Sequence, residues 1–189
     1  MASKKESSLV NMVLTLFIIT LIASASLGFI YEITKLPIKE AKKAKKTKAI
    51  KKVLPEFDDL EEMKIVKATD GGRDFEFYNA KKDGKIIGTA VKTSTEKGYS
   101  GLIWIMVGFT ADGKICRTSV LEHKETPGLG TKLDETAFKK QFLGKNPDNF
   151  KLIVEKDGGD VDAITAATIS SRAFCEAVQR AFDAYKKEK

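Results

Sequence analysis

Between Ser7 and Tyr31 the chain carries no charged side chain. No other feature restricts the fold so strongly. Leu9 to Tyr31 is a run of 23 predominantly apolar residues. As a helix it reaches about 34 Å, and a bilayer core of about 30 Å takes about 20 such residues. A cleaved signal peptide is the competing reading, because Ala23-Ser24-Ala25 resembles a small-residue cleavage site. The apolar run continues past that site through Leu27 to Tyr31, longer than a usual signal core. A retained single span over 9–31, after a short tail at 1–8, is therefore the expectation.

The residues after the span change character abruptly. Lys35 to Lys52 holds nine lysines and one acid, Glu40. With Ala41, Ala44, Ala49 and Ile50 among the lysines, 32–55 is expected to be a helical stalk bounded by Pro37 and Pro55. It is either solvated or in contact with anionic lipid headgroups. The block accounts for the formal net charge of +7. The rest of the chain is close to neutral, so no nucleic-acid-binding domain is implied. Charge does not fix the orientation of the span. Lys4 and Lys5 favour a cytoplasmic N-terminus, whereas the lysine block favours the opposite sense.

From Phe75 the pattern turns to period two with hairpin signals, and 56–189 reads as one domain. Phe75 and Phe77 lead to Asp83-Gly84, Lys85 to Thr93 returns, and Gly98 to Ser100 turns again. Gly101 to Thr110 is a continuous apolar run, expected to be a strand buried on both faces. Asp112-Gly113 turns the chain into a strand over Ile115 to His123. A short helix is expected over Lys132 to Leu143, with Phe138 and Phe142 packing at i and i+4. A last strand is expected over Phe150 to Val154, and an amphipathic helix over Arg172 to Tyr185. The fold class is α+β: an N-terminal transmembrane helix, then an antiparallel sheet flanked by helices. Cys116 and Cys175 lie far apart without metal-ligand spacing and read as free thiols, although a pair stays open. His123, the only histidine, reads as structural.

Two stretches carry chemistry. Asp162-Ala-Ile-Thr-Ala-Ala-Thr-Ile-Ser-Ser171 opens the last helix. Backbone N–H groups there lack intrahelical partners, and the helix dipole adds positive charge, so a phosphate is favoured. The bland alternative is a Ser/Thr-capped helix. The second stretch is His123-Lys-Glu-Thr-Pro-Gly-Leu-Gly130. Its proline and glycines permit a turn whose successive N–H groups cradle an anion, or a plain strand-to-helix connection. No Rossmann glycine loop, haem or iron–sulfur ligand cluster, or Ser-His-Asp arrangement stands out.

Both stretches, in this order, resemble the motifs of the FMN-binding domain family. Asp162, Thr165, Ala167 and Thr168 fit the family's flavinylation pattern, Asp-x-x-Ser/Thr-Gly-Ala-Thr. Ala166 stands where the family usually has Gly. The resemblance covers roughly residues 75 to 185. It implies FMN joined through its phosphate to the Thr168 hydroxyl by a separate flavin transferase. It implies cofactor contacts from Thr165, Ala166, Ala167 and Ile169, and from Glu125, Thr126, Gly128, Leu129 and Gly130. Such domains resemble the tethered electron carriers of Rnf-type complexes, which pass electrons between ferredoxin and NAD and move Na⁺ or H⁺. The implied setting is a single-pass cell-membrane protein with its C-terminal domain on the outer face. The implied partners are other membrane subunits of the redox complex and the lipid bilayer. A non-redox membrane-anchored binding module, or a flavinylated subunit of another outer-face reductase, are the alternatives.

Overall fold

The computed structural model describes residues 8–189, so all of the expected tail except Ser8 lies outside the described residues. The chain forms two compact units, one ending at Ala44 and one spanning Lys45–Lys189. Helix α1 (Leu9–Val53) contributes to both. In the first unit, an 18-residue window of α1 has a mean hydropathy of 2.4 and buries none of its residues. Thr15, Thr20 and Thr34 donate their hydroxyls to carbonyls one turn earlier. These three hydroxyls are thereby satisfied without water, as a bilayer requires.

The second unit is built on a six-stranded antiparallel sheet. Its long strands are β3 (Phe75–Lys82), β4 (Lys85–Gly98), β5 (Gly101–Thr110) and β6 (Ile115–Glu122), paired in chain order. Two short strands, β1 (Asp59–Leu60) and β2 (Lys64–Val66), both pair with β3. The β3–β4 hairpin turns on Asp83 and Gly84, with φ of 50° and 75°. Two positive φ values are what a type I′ turn demands.

Alternation along the strands gives the sheet two apolar faces. On one face Phe77, Val91, Ile105, Val107 and Phe109 pack against helix α3 (Thr168–Glu188) through Phe174, Val178 and Phe182. On the other, Tyr78, Ala90 and Met106 pack against Ala49, Ile50 and Val53 from the end of α1 and against Leu54. β5 is buried on both faces, as its unbroken apolar run predicts.

Two expected elements take other forms. Residues 132–143 are not one helix. They divide into a 3₁₀ turn (Gly130–Asp134), the four-residue helix α2 (Thr136–Lys139) and a second 3₁₀ turn (Lys140–Phe142). Glu135, with extended backbone at φ −70° and ψ 145°, interrupts the helix. Phe138 and Phe142 still meet, with ring centroids 5.5 Å apart, and both contact Phe174. Aromatic packing therefore survives the loss of helical regularity. Residues 150–154 form no strand. A single bridge pairs Val154 with Val161, and a 3₁₀ turn follows at Glu155–Asp157.

Candidate functional site

The loop that enters α3 is a tight turn held from both sides. The Ala167 N–H donates to the Ile164 carbonyl at 2.9 Å, closing a turn with Thr165 and Ala166 at its corners. Ala166 has φ +61°. A positive φ at the third turn position is the place where type II turns take glycine. The motif's usual Gly thus has a backbone reason, and here Ala occupies the left-handed conformation at a cost of about 1 kcal/mol.

Behind the turn, Ser171 Oγ accepts from the Ile164 N–H at 3.0 Å and donates to the Ala167 carbonyl at 3.0 Å. In front, Gln141 accepts from the Asp162 N–H at 2.8 Å and donates to the Asp162 carbonyl at 3.2 Å. The loop backbone is therefore fixed while Thr165 and Ala166 stand exposed at its tip.

Thr168 is the first residue of α3. The N-cap position belongs to Ala167, which has no side chain able to cap, so the Ser/Thr-capped helix is not what forms. Among the described residues, neither the Thr168 nor the Thr165 hydroxyl takes a hydrogen bond. The N–H groups of Thr168, Ile169 and Ser170 have no acceptor either, and the first α3 amide to be bonded is that of Ser171, to Ala167. A half-buried, unengaged hydroxyl therefore sits among free donors at the positive end of a 21-residue helix. This arrangement suits a phosphate group.

The second motif lies against the first. Glu125 is 4% exposed. Its carboxylate accepts from the Ser100 N–H at 3.0 Å and from the Ser170 hydroxyl at 2.5 Å. The His123 Nδ1 accepts from the Glu125 N–H at 3.1 Å. Within the Pro127–Gly130 turn, the Gly128 N–H donates to Thr131 Oγ1 and the Leu129 N–H to the Thr126 carbonyl. Of the three amides expected to face a cofactor, two are thus consumed by the turn itself, and Gly130 alone has no internal acceptor among the described residues. Leu129 and Ile169, one from each motif, are 40% and 48% exposed. They offer exposed apolar surface in the two motifs that the Glu125–Ser170 contact joins. Tyr99, 70% exposed, adjoins the Ser100 amide that Glu125 holds.

A cavity of about 560 Å³ begins at Ile169 and passes Ile153, Arg172, Ala173 and Glu176. The Arg172 guanidinium is bidentate on Asp157, at 2.6 and 2.8 Å, and holds that carboxyl below its ordinary range. Cys175 lines the same cavity, but burial pushes its thiol up to about 12, so it stays protonated at neutral pH. Both cysteines are free. Among the described residues no cluster of His, Cys, Asp or Glu could hold a metal.

Sequence reading did not find Gln141, Ser100, Ser170 or Ser171. Gln141 carries no pattern of its own, and Ser170 belongs to the first turn of a helix whose amphipathic pattern is legible only from Arg172 onward.

Comparison with known proteins places the chain in a family. Residues 98–183 match the FMN-binding domain family. The G subunit of the ion-translocating oxidoreductase complex of Aliivibrio fischeri is 37% identical, covering 98% of this chain and 92% of the relative. The G subunit of the Na⁺-translocating ferredoxin:NAD⁺ oxidoreductase complex of Acetobacterium woodii is 32% identical, covering 92% and 89%. The G subunit of the ion-translocating oxidoreductase complex of Escherichia coli is 34% identical, covering 86% and 85%. Among solved structures, the C subunit of the Na⁺-translocating NADH-quinone reductase of Parabacteroides distasonis is similar at a TM-score of 0.51 and 25% identity, covering 61% of this chain and 62% of that one.

Proposed function

The chain belongs to the family of G subunits of ion-translocating oxidoreductase complexes, and from that premise we propose that it relays electrons through FMN esterified to Thr168. The flavin supplies the redox chemistry, and the protein supplies attachment, orientation and electrostatics. The observation that carries the reading is the unengaged Thr168 hydroxyl beside three unpartnered helix amides. The hydroxyl is the nucleophile, the amides cradle the phosphate, and Thr165, Ala166 and Ala167 line the phosphate and ribityl end. Thr126, Leu129, Gly130 and Ile169 form the remaining contact surface.

A flavin transferase is the maturation partner, and the other membrane subunits of a ferredoxin:NAD⁺ oxidoreductase are the redox partners. The single span holds the protein in the cell membrane, and the C-terminal domain faces outward. There a dissociated FMN would be lost, which is the physical reason for a covalent bond.

The test is intact mass. Protein produced with the transferase is expected to exceed its polypeptide mass by FMN less water, about 438 Da. Thr168→Ala is expected to lose that increment and the yellow in-gel fluorescence that survives denaturation. Flavin retained in Thr168→Ala would move the attachment, and no flavin in the wild type would return the chain to a non-redox binding module.

A further inference from the structure

We propose that Glu125 is the positioning residue of this site. Its buried carboxylate clamps three chain segments together so that Thr168 faces the glycine turn, and it does not itself touch the flavin. The proposal rests on the reading of Thr168 as the attachment point. Resemblance placed Glu125 among the cofactor contacts, but its surroundings assign it another task.

Both carboxylate oxygens are engaged inside the protein. One takes the Ser100 amide, at the turn between β4 and β5, and the other takes the Ser170 hydroxyl, two residues past Thr168. The residue is 4% exposed, and so a ligand has almost no surface to meet. The glycines around it make room for it. A Cβ on Gly130 would lie 2.5 Å from Glu125 Oε2 and 2.9 Å from Ser170 Oγ. A Cβ on Gly98 would lie 2.7 Å from Glu125 Oε1. The Glu and the last Gly of the Glu-Thr-Pro-Gly-Leu-Gly string are therefore one packing unit. Gly128 serves the turn by its φ of +77°, whereas Gly130 lacks a side chain because the carboxylate occupies that space.

The consequence is geometric coupling. Buried polar groups of this kind specify one arrangement when every member is satisfied. Here that arrangement brings the first turn of α3 to the glycine turn. Removing the carboxylate leaves the Ser100 amide and the Ser170 hydroxyl without their acceptor and a void between the segments. Placement of a reacting hydroxyl is sensitive to such shifts, and a displacement of about 1 Å can cost about 100-fold in rate.

The experiment loads full-length protein in detergent with purified transferase and FAD: the Thr168 oxygen bonds to the FMN phosphorus, the pyrophosphate P–O bond breaks, AMP leaves, and the hydroxyl proton is released. Loading is followed by intact mass against time. Hydrogen exchange is read over residues 99–101, 126–131 and 165–171. Glu125→Ala and Ser170→Ala are expected to load about 10- to 100-fold more slowly than wild type and to exchange faster in all three segments. Glu125→Gln can still accept from Ser100 and donate to Ser170, and is expected to load within about 3-fold of wild type. Folded Glu125→Ala or Ser170→Ala loading at the wild-type rate, or Glu125→Gln as slow as Glu125→Ala, would overturn the proposal. If Glu125→Ala does not fold, Ser170→Ala decides, because it removes only one of the two bonds. If wild type takes up no flavin, the reading of Thr168 fails instead. The exchange of the three segments in Ser170→Ala then decides the clamp by itself.

Discussion

At Ala166 a methyl group sits where the backbone asks for none. Its φ of +61° strains any L side chain, by roughly 1 kcal/mol for alanine. Glycine would relieve that strain but would also gain freedom in the unfolded chain, worth about 0.4–1 kcal/mol in the other direction. Ala166→Gly is therefore expected to be neutral to slightly stabilising, by less than about 1 kcal/mol. The neighbouring Ala167 supplies the control. Its φ is −135° and it is 7% exposed, so Ala167→Gly relieves nothing and empties a buried methyl site. It should cost about 1 kcal/mol or more. Denaturant unfolding of the two variants side by side measures the difference. Equal losses would mean that the turn at 164–167 does not hold its positive φ in solution.

Among the elements, the end of α1 is joined to the sheet by ions as well as by apolar packing. Glu76 on β3 accepts from Lys92 on β4 at 2.5 Å and from Lys46 on α1 at 3.0 Å, and the Tyr78 hydroxyl also donates to it. Burial raises the Glu76 carboxyl, but these three donors outweigh it and bring it to about 2, from an ordinary 4.5. A carboxyl lowered in the folded state stabilises the fold above its unfolded value and loses that contribution as pH falls toward the folded value. Glu76 therefore contributes on the order of 2–3 kcal/mol above about pH 5, declining to nothing near pH 2. The stability gap between wild type and Glu76→Gln should be widest above pH 5 and close as pH falls. A gap that stays constant from pH 7 to pH 3 would show that the lysines do not hold this carboxyl.

The same elements show what a sequence can disclose. The β3–β6 meander is legible because alternation and two Asp-Gly turns are local signals. β1 and β2, two and three residues long, exist only through pairing with β3 and leave no local trace. Residues 132–143 carry a helical stripe, yet one extended residue, Glu135, divides them. In the site, Thr168 and the glycine turn are legible as strings. The bonds that fix them are not: Gln141 reaches Asp162 across 21 residues, and Ser170 reaches Glu125 across 45.

For the whole molecule, the boundary of the folding unit is the quantity that chain order hides. The lysine block makes 32–55 look like a solvated stalk, and most of its lysines are indeed exposed. Yet Ala49, Ile50, Val53 and Leu54 are each 4% exposed or less, and they cover the sheet face that carries Tyr78, Ala90 and Met106. Burying a Val, Leu or Ile side chain is worth about 1.5–3 kcal/mol. Three of them sum to several kcal/mol, a large share of the roughly 5–15 kcal/mol that stabilises a domain. A fragment starting at Lys45 keeps this cover and the Lys46–Glu76 pair. A fragment starting at Glu56 loses both and exposes an apolar sheet face. The 45–189 fragment is expected to unfold cooperatively in denaturant. The 56–189 fragment is expected to be less stable by several kcal/mol and to associate through the uncovered face. Matching denaturation midpoints for the two fragments would mean that the sheet needs only α3 to fold, and that the last turns of α1 are an ornament on a domain already complete.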